Sequence, residues 1–359
     1  MNIPSLINNQ RKYFNSGQSR DVKFRIQQLK KLKSVFENHE DECLSALAAD
    51  LGKSRTEAYL TEIIFIRDEL NMAIKNTKKW SKAKRVPTPI ILAIASSYRQ
   101  PEPYGIALIV SPWNYPIALA IAPLIGAISA GNTAIVKPSE LAPESSKVIA
   151  KIISECFSSD HVITVEGGVE LATELLQHRY DYIFFTGGTK VGRVYYEAAA
   201  KNLTPVTLEL GGKTPCVVDK NINLNETAKR IVFGKYLNCG QSCTAPDYIL
   251  VHSSVKNCLI DELKKNVIKM YGKNPENNDE YPRIISEGHF DRIYSLLDEN
   301  NIVFGGNYNK EKIYISPTFM DLDSSKHFIM DEEIFGPLLP IISFDNINEV
   351  KNIIQGQEK

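Results

Sequence analysis

The sequence predicts an α/β fold, with a doubly wound parallel sheet behind a helical opening layer. Three observations carry that prediction. Apolar residues recur at helical spacing before residue 81, short apolar runs then alternate with helical segments as far as residue 210, and polar or glycine residues follow each run.

In the opening layer, Ile26, Leu29, Leu32, Val35 and Phe36 share one helical face between Arg25 and Phe36, and Leu44, Leu47 and Leu51 repeat the pattern after the acidic break near Glu40. A third helix is expected from about Arg55 to Trp80, with Lys75, Lys78 and Lys79 near its end, where cations suit the helix dipole. Between Ser81 and Tyr104, Pro87, Pro89, Pro101 and Pro103 flank an apolar, β-branched run, the pattern of an extended arm or hairpin. Such an arm suits packing on a neighbouring subunit.

Strands are expected at Ile106–Val110, Thr133–Val136, Val162–Val165, Tyr182–Phe185 and Val206–Leu210. Ligands of parallel sheets bind beyond the carboxyl ends of the strands, so the residues that follow each run are the ones to examine. They are Ser111-Pro-Trp-Asn-Tyr-Pro116, Lys137-Pro-Ser-Glu140, Thr186-Gly-Gly-Thr-Lys-Val-Gly192 and Gly211-Gly-Lys213.

Composition narrows the function. The chain has 359 residues, 43% hydrophobic and 23% charged, enough for about two domains with sizeable cores. Lys plus Arg equals Asp plus Glu at 42 each, so nothing in the charge balance argues for nucleic acid or an anionic membrane. A small-molecule partner is expected. Six irregularly spaced cysteines suit a reducing compartment, and with no signal-like start and no membrane-length apolar run the expected location is the cytoplasm.

The chemistry-bearing stretch is Asn238-Cys-Gly-Gln-Ser-Cys-Thr-Ala-Pro-Asp247. Small and turn-forming neighbours would leave Cys243 reachable as a nucleophile, which acts as its thiolate. The same stretch also reads as two buried small hydrophobes, Cys239 and Cys243. Zinc is a weaker reading, because no second Cys or His pair stands at ligand spacing, and no metal site is expected. Gly187, Gly188 and Gly192, between strand and helix, suit a tight turn against a phosphate, although Thr189 occupies the place of the second glycine in the dinucleotide fingerprint. Counting about twenty residues on from this turn reaches Glu209 as a ribose carboxylate. Lys137 and Glu140 supply an ammonium and a carboxylate for that task at another strand end, which leaves Glu209 for other work; Lys137 can also be read as a solvated surface lysine.

In order, Pro-Trp-Asn-Tyr-Pro, Lys-Pro-Ser-Glu, Phe-Thr-Gly-Gly-Thr, Leu208-Glu-Leu-Gly-Gly-Lys213, Gly240-Gln-Ser-Cys243 and Glu332-Glu-Ile-Phe-Gly-Pro337 resemble the aldehyde dehydrogenase superfamily over essentially the whole chain. The helical opening and Asn238 to Tyr248 look most like its class 3 branch of fatty and aromatic aldehyde dehydrogenases. The resemblance implies oxidation of an aldehyde to its acid. Cys243 would attack, Asn114 and the Cys243 N–H would stabilise the oxyanion, and Glu209, its pKa raised by burial, would activate water. It implies a Rossmann-like NAD domain in which Lys137 and Glu140 hold the adenosine ribose. Thr186, Gly187, Gly188 and Gly192 would approach the pyrophosphate, and Glu333 with Phe335 would position the nicotinamide ribose and ring. Gly188 stands where many relatives have serine or asparagine, so one side-chain contact to the pyrophosphate is not expected. NAD is the expected cofactor, with NADP tolerated. Tyr115 and Phe233 are read either as lining an apolar substrate channel or as ordinary packing.

The domains implied are residues 1–81 and 105–210 for NAD(P), a bridging oligomerisation arm at 82–104, and a catalytic domain from 211 to 359. Relatives continue with further strands, so the chain reads as C-terminally shortened; if those strands are needed to cover the sheet, apolar edges around Leu338–Ile342 would be exposed. Some class 3 relatives carry a membrane-anchoring tail; no membrane contact is expected here. Full-length relatives suggest a homodimer. Two alternatives remain at this stage: an acylating enzyme that passes the thioester to coenzyme A, and a truncated, catalytically silent subunit.

Overall fold

A computed structural model describes residues 2–357. The chain divides into two compact units, one made of the residues up to Ala46 with Ala58–Glu209, the other of Leu47–Glu57 with the residues from Leu210 onward.

The first unit opens with α1 (Ile3–Asn15), α2 (Val22–Asn38) and the start of α3 (Glu40–Leu51). The sequence pattern gave no helix before Arg25. α1 is largely polar, is started by the Asn2 side chain accepting the Ser5 N–H at 2.9 Å, and buries Ile3, Gln10 and Phe14. Leu29, Leu32 and Phe36 are the buried face of α2, as their spacing predicts. The third expected helix is interrupted. α4 (Arg55–Ala58) runs through a π-helical turn, Tyr59–Ile63, into α5 (Ile64–Trp80), and Glu62 within the turn is fully buried.

After α5 comes a hairpin, β1 (Lys84–Val86) paired antiparallel with β2 (Ser97–Arg99). Near its tip Ile90, Ile91 and Ile94 are 93, 88 and 106% exposed. The central sheet then forms from β3 (Ile106–Val110), β4 (Thr133–Lys137), β5 (Val162–Thr164), β6 (Tyr182–Thr186) and β7 (Val206–Glu209). Their order is β5-β4-β3-β6-β7, all parallel, and every residue of β3 and β4 is buried. The connections are α6 (Ala118–Ala130), α7 (Pro143–Cys156), α8 (Val169–Leu175) and α9 (Thr189–Lys201).

The second unit holds β8 (Pro215–Val218), α10 (Leu224–Tyr236), β9 (Tyr248–His252), α11 (Lys256–Tyr271), α12 (Glu287–Tyr294), β10 (Ile302–Phe304), the short pair β11 (Tyr308–Asn309) and β12 (Tyr314–Ile315), β13 (Thr318–Leu322), β14 (Leu338–Phe344) and α13 (Ile347–Gln355). Its main sheet runs β10-β13-β14-β9-β8, parallel except for β10. The expectation of apolar edges at Leu338–Ile342 is corrected here. β14 is the central strand, paired with β13 and β9, and Leu338, Leu339, Ile341 and Ile342 are at most 3% exposed. Tyr236, Tyr248, Tyr281 and Phe319 anchor the core around it.

Candidate active site

In the first unit the sheet itself delivers the expected residues. Lys137 ends β4 with its side chain nearly buried, and its Nζ donates to Glu140 Oε2 at 2.8 Å and to the Pro138 carbonyl at 3.2 Å. Partial burial works to raise the Glu140 carboxyl, but the Lys137 hydrogen bond and a main-chain N–H outweigh it and hold Glu140 below the usual carboxylate range. Thr186 ends β6 directly across from Glu209 at the end of β7, and the Gly187 N–H donates to the Glu209 carbonyl at 3.0 Å. Gly188 is the N-cap of α9, which has no side-chain cap, and Gly192 is buried in that helix. An uncapped helix start presents main-chain N–H groups to an anion. This end of the sheet therefore fits a dinucleotide: an ammonium–carboxylate pair for ribose hydroxyls and an uncapped helix N-terminus for the pyrophosphate.

Asn114 follows β3 and is 3% exposed. The turn that carries it is fixed by a residue the sequence did not single out. Glu62 Oε2 accepts the N–H groups of Ile117 and Ala118 at 3.0 Å each, so its carboxylate caps α6 just beyond Asn114. Glu209 departs from expectation, because its side chain is exposed rather than buried. Phe233 is 53% exposed on α10, and Tyr115 is partly buried.

In the second unit the cysteine loop is held by buried side chains. Asn238 and Cys239 lie at φ +52° and +55°, in the left-handed region that costs non-glycine residues of order 1 kcal/mol or more, and Gly240 follows at +75°. A Cβ on Gly240 would come within 2.3 Å of the Gly336 carbonyl oxygen, so this position needs glycine for both conformation and space. Glu57 Oε1 accepts the Asn238 N–H at 2.7 Å. Gln241, fully buried, donates to the carbonyls of Asn238 and Arg283, and its Oε1 accepts the Ile285 N–H, all at 3.0 Å. Cys239 is buried against the Tyr281 hydroxyl at 3.4 Å, and burial pushes its thiol up to about 12. Cys243 is exposed two residues beyond this brace. Of the two cysteines, Cys239 is the buried hydrophobe and Cys243 the accessible sulfur.

Glu333 and Phe335 lie in the same unit. Burial raises the Glu333 carboxyl above its usual range, with the Gly212 N–H opposing, and a Cβ on Gly211 would come within 1.9 Å of Glu333 Oε2. Phe335 has φ +48°. Lys235, just before the cysteine loop in sequence, is fully buried, and burial pushes its ammonium down to about 8. Among the described residues, no group of three or more His, Cys, Asp or Glu side chains is arranged to hold a metal. A surface depression of about 610 Å³ is lined by Arg11, His178, Arg179 and Asp181 among others; Asp181 precedes β6, at the amino end of the strand rather than the carboxyl end.

Parallel sheets of this order, with glycine and charged chemistry at their carboxyl ends, define the class as dinucleotide-binding α/β enzymes. Comparison with known proteins narrows it: the profile of the aldehyde dehydrogenase family matches residues 2–358, and this chain belongs to that family. It is 46% identical over 349 residues to the 4,4'-diaponeurosporen-aldehyde dehydrogenase of Staphylococcus aureus, covering 97% of this chain and 76% of that one. It is also 46% identical over 349 residues to aldehyde dehydrogenase family 3 member A2 of Pongo abelii, covering 97% and 72%. A substrate-bound structure of Staphylococcus aureus AldH superposes with a TM-score of 0.97 at 45% identity, over 100% of this chain and 79% of that one. Members of the family are oxidoreductases that convert aldehydes to carboxylic acids with NAD(P)+, and that is the activity of this chain. No helix among the described residues is long and apolar enough to cross a membrane.

Proposed function

We propose that Cys243 is the nucleophile of an aldehyde oxidation in which NAD is preferred over NADP. The observation that carries this reading is the exposure of Cys243 on a loop whose preceding residues are pinned by Gln241 and Asn238 in strained backbone. Loops of this kind keep their geometry when a substrate arrives. The Cys243 thiolate attacks the carbonyl carbon, the C–S bond forms, and the π pair moves onto oxygen. The Asn114 side-chain amide and the Cys243 N–H donate to that oxyanion. Bound NAD+ supplies the acceptor for the hydride given up by the thiohemiacetal carbon. Glu209 then takes a proton from the water that attacks the thioester, the thiolate of Cys243 leaves, and the acid is released. The exposure of Glu209 supports access of that water.

Lys137 and Glu140 hold the adenosine ribose hydroxyls, Thr186, Gly187, Gly188 and Gly192 face the pyrophosphate, and Glu333 with Phe335 positions the nicotinamide ribose and ring. Glu140, kept ionised, repels a 2′-phosphate while Lys137 tolerates one, which is the basis for the NAD preference. In this reading residues 1–81 and 105–210 form the NAD(P) domain, 211–359 the thiol domain, and 82–104 an arm between subunits. Support for a homodimer comes from the exposed isoleucines at the arm's tip, a patch that water disfavours. The six irregularly spaced cysteines, which form no disulfide among the described residues, support a cytoplasmic home.

The test is NADH formation by the purified chain across a panel of aliphatic and aromatic aldehydes, beside Cys243→Ser. Cys243-dependent NADH production is expected. A folded protein that turns over equally well without the thiol, or that uses NADP as efficiently as NAD, removes the corresponding part of the reading.

A further inference from the structure

Glu333 lies outside any helix or strand, between the short turn Phe328–Met330 and β14. Buried side chains grip the main chain on both sides of it. Lys213 Nζ donates to the Ile329 carbonyl at 2.7 Å and to the Glu332 carbonyl, immediately before Glu333, at 2.8 Å. Asp247 Oδ1 accepts the N–H of Ile334, immediately after it, at 3.0 Å. Arg292 Nη2 donates to the Ile334 carbonyl at 2.7 Å. Lys213 and Asp247 then close on each other, Nζ to Oδ2 at 2.6 Å, with side chains 7 and 5% exposed. Lys213 belongs to the loop on whose Gly211 the Glu333 carboxylate rests, and Asp247 closes the cysteine loop.

A buried ion pair is a poor device for stability alone, because desolvating both charges offsets most of their attraction. Its three bonds to main chain give it another use. We propose that the Lys213–Asp247 pair is a positioning device, setting the Glu333 carboxylate for the nicotinamide-side ribose by fixing the peptide groups before and after it. The proposal rests on the ribose reading of Glu333 and deepens it. Neither Lys213 nor Asp247 touches the reacting atoms; both act through residue 333.

The experiment measures NADH affinity by the fluorescence change on binding, with kcat and KM for NAD alongside. The variants are Glu333→Gln, the neutral pair Lys213→Met with Asp247→Asn, and the combination of all three. Alkylation of Cys243 by iodoacetamide without cofactor reports whether the cysteine loop is intact. Glu333→Gln and the neutral pair should each weaken NADH binding by roughly tenfold, and the combination should be little worse than either, as residues acting in series are. KM for NAD should rise more than kcat falls, and alkylation should stay within about threefold. Lys213→Arg, which keeps the charge and the donors, should restore most of the affinity. Wild-type NADH binding by the neutral pair, or losses that multiply fully with Glu333→Gln, overturns the proposal. Unchanged binding by Glu333→Gln alone overturns the ribose reading, and the proposal with it. If the neutral pair does not fold, Asp247→Asn alone decides: it keeps an acceptor for Ile334 and withdraws the charge, so a loss shared with Glu333→Gln is expected and unchanged binding is fatal.

Discussion

The two units hold their candidate functional side chains by different means. In the first, the carboxyl ends of parallel strands carry Lys137, Thr186 and Glu209, so the hydrogen-bond register of the sheet places them. In the second, the cysteine loop and the Glu333 loop have no ladder of their own. Side chains bonded to main chain place them instead: Gln241, Glu57, Lys213, Asp247 and Arg292. A register is a collective property that survives most single substitutions, whereas a brace depends on each member. Variants at the first set should therefore lose chemistry more than structure, and variants at the second should lose both.

The largest effect expected is at Cys243 itself. Cys243→Ala should lower turnover by roughly a thousandfold or more while leaving the melting temperature close to wild type, since the side chain is exposed; measurable turnover near wild type would end its role as nucleophile. Asn114→Ala should cost roughly a hundredfold in kcat with a smaller fall in stability, as the loss of one oxyanion donor does. A variant that unfolds in proportion to its lost activity would place Asn114 with the braces. Gln241→Ala leaves the Ile285 N–H and the Arg283 carbonyl without their side-chain partner and should lower unfolding free energy by about 2 kcal/mol, with turnover falling in parallel. Full activity in that variant would break the distinction between brace and register.

The smallest effect is a charge-dependent clamp in the first unit. His39 Nε2 meets Glu155 at 2.9 Å and Nδ1 meets Glu42 at 3.1 Å, and Lys151 holds Glu42 in turn. The Glu155 hydrogen bond, with help from Glu42 and against partial burial, raises the imidazole above its ordinary value of about 6.5. The folded state thus binds this proton more tightly than the unfolded chain. Its contribution is complete below about pH 6.5 and is lost as pH rises through the raised folded value. The melting-temperature gap between wild type and His39→Gln should narrow over that rise; a gap constant with pH would show that the clamp works without its charge.

The same division explains what could be read from the sequence. Strands β3 to β7 fall within a residue of their predicted limits; β3 and β4, buried along their whole length, must be continuous apolar runs, and the partly covered β5 to β7 are marked by their β-branched and aromatic residues. The pairing of Leu338–Ile342 is not legible for a related reason: an apolar run reveals burial but not which strands pair with it. The polar helix α1 carried too few apolar residues to show a period. In the candidate site, Cys243, Glu209 and the Lys137–Glu140 pair stand out as residue types beside strand ends and turns, and Asn114 only through the resemblance. Their supports do not. Glu62 reaches Ile117 and Glu57 reaches Asn238 across long stretches of chain, and in the sequence both are ordinary helix glutamates.

Glu62 owes its aim to the π-helical turn. Each residue of an α-helix advances the next by about 100°, so one extra residue in a single turn changes the phase of everything on one side of it relative to the other. Across Tyr59–Ile63 the helix carries such a dislocation. Deleting one residue there would restore an unbroken α-helix and rotate Glu62 away from the start of α6, or else turn the apolar face of α5 out of its core. The irregularity lets one helix satisfy two angular demands that a perfect repeat could not meet together.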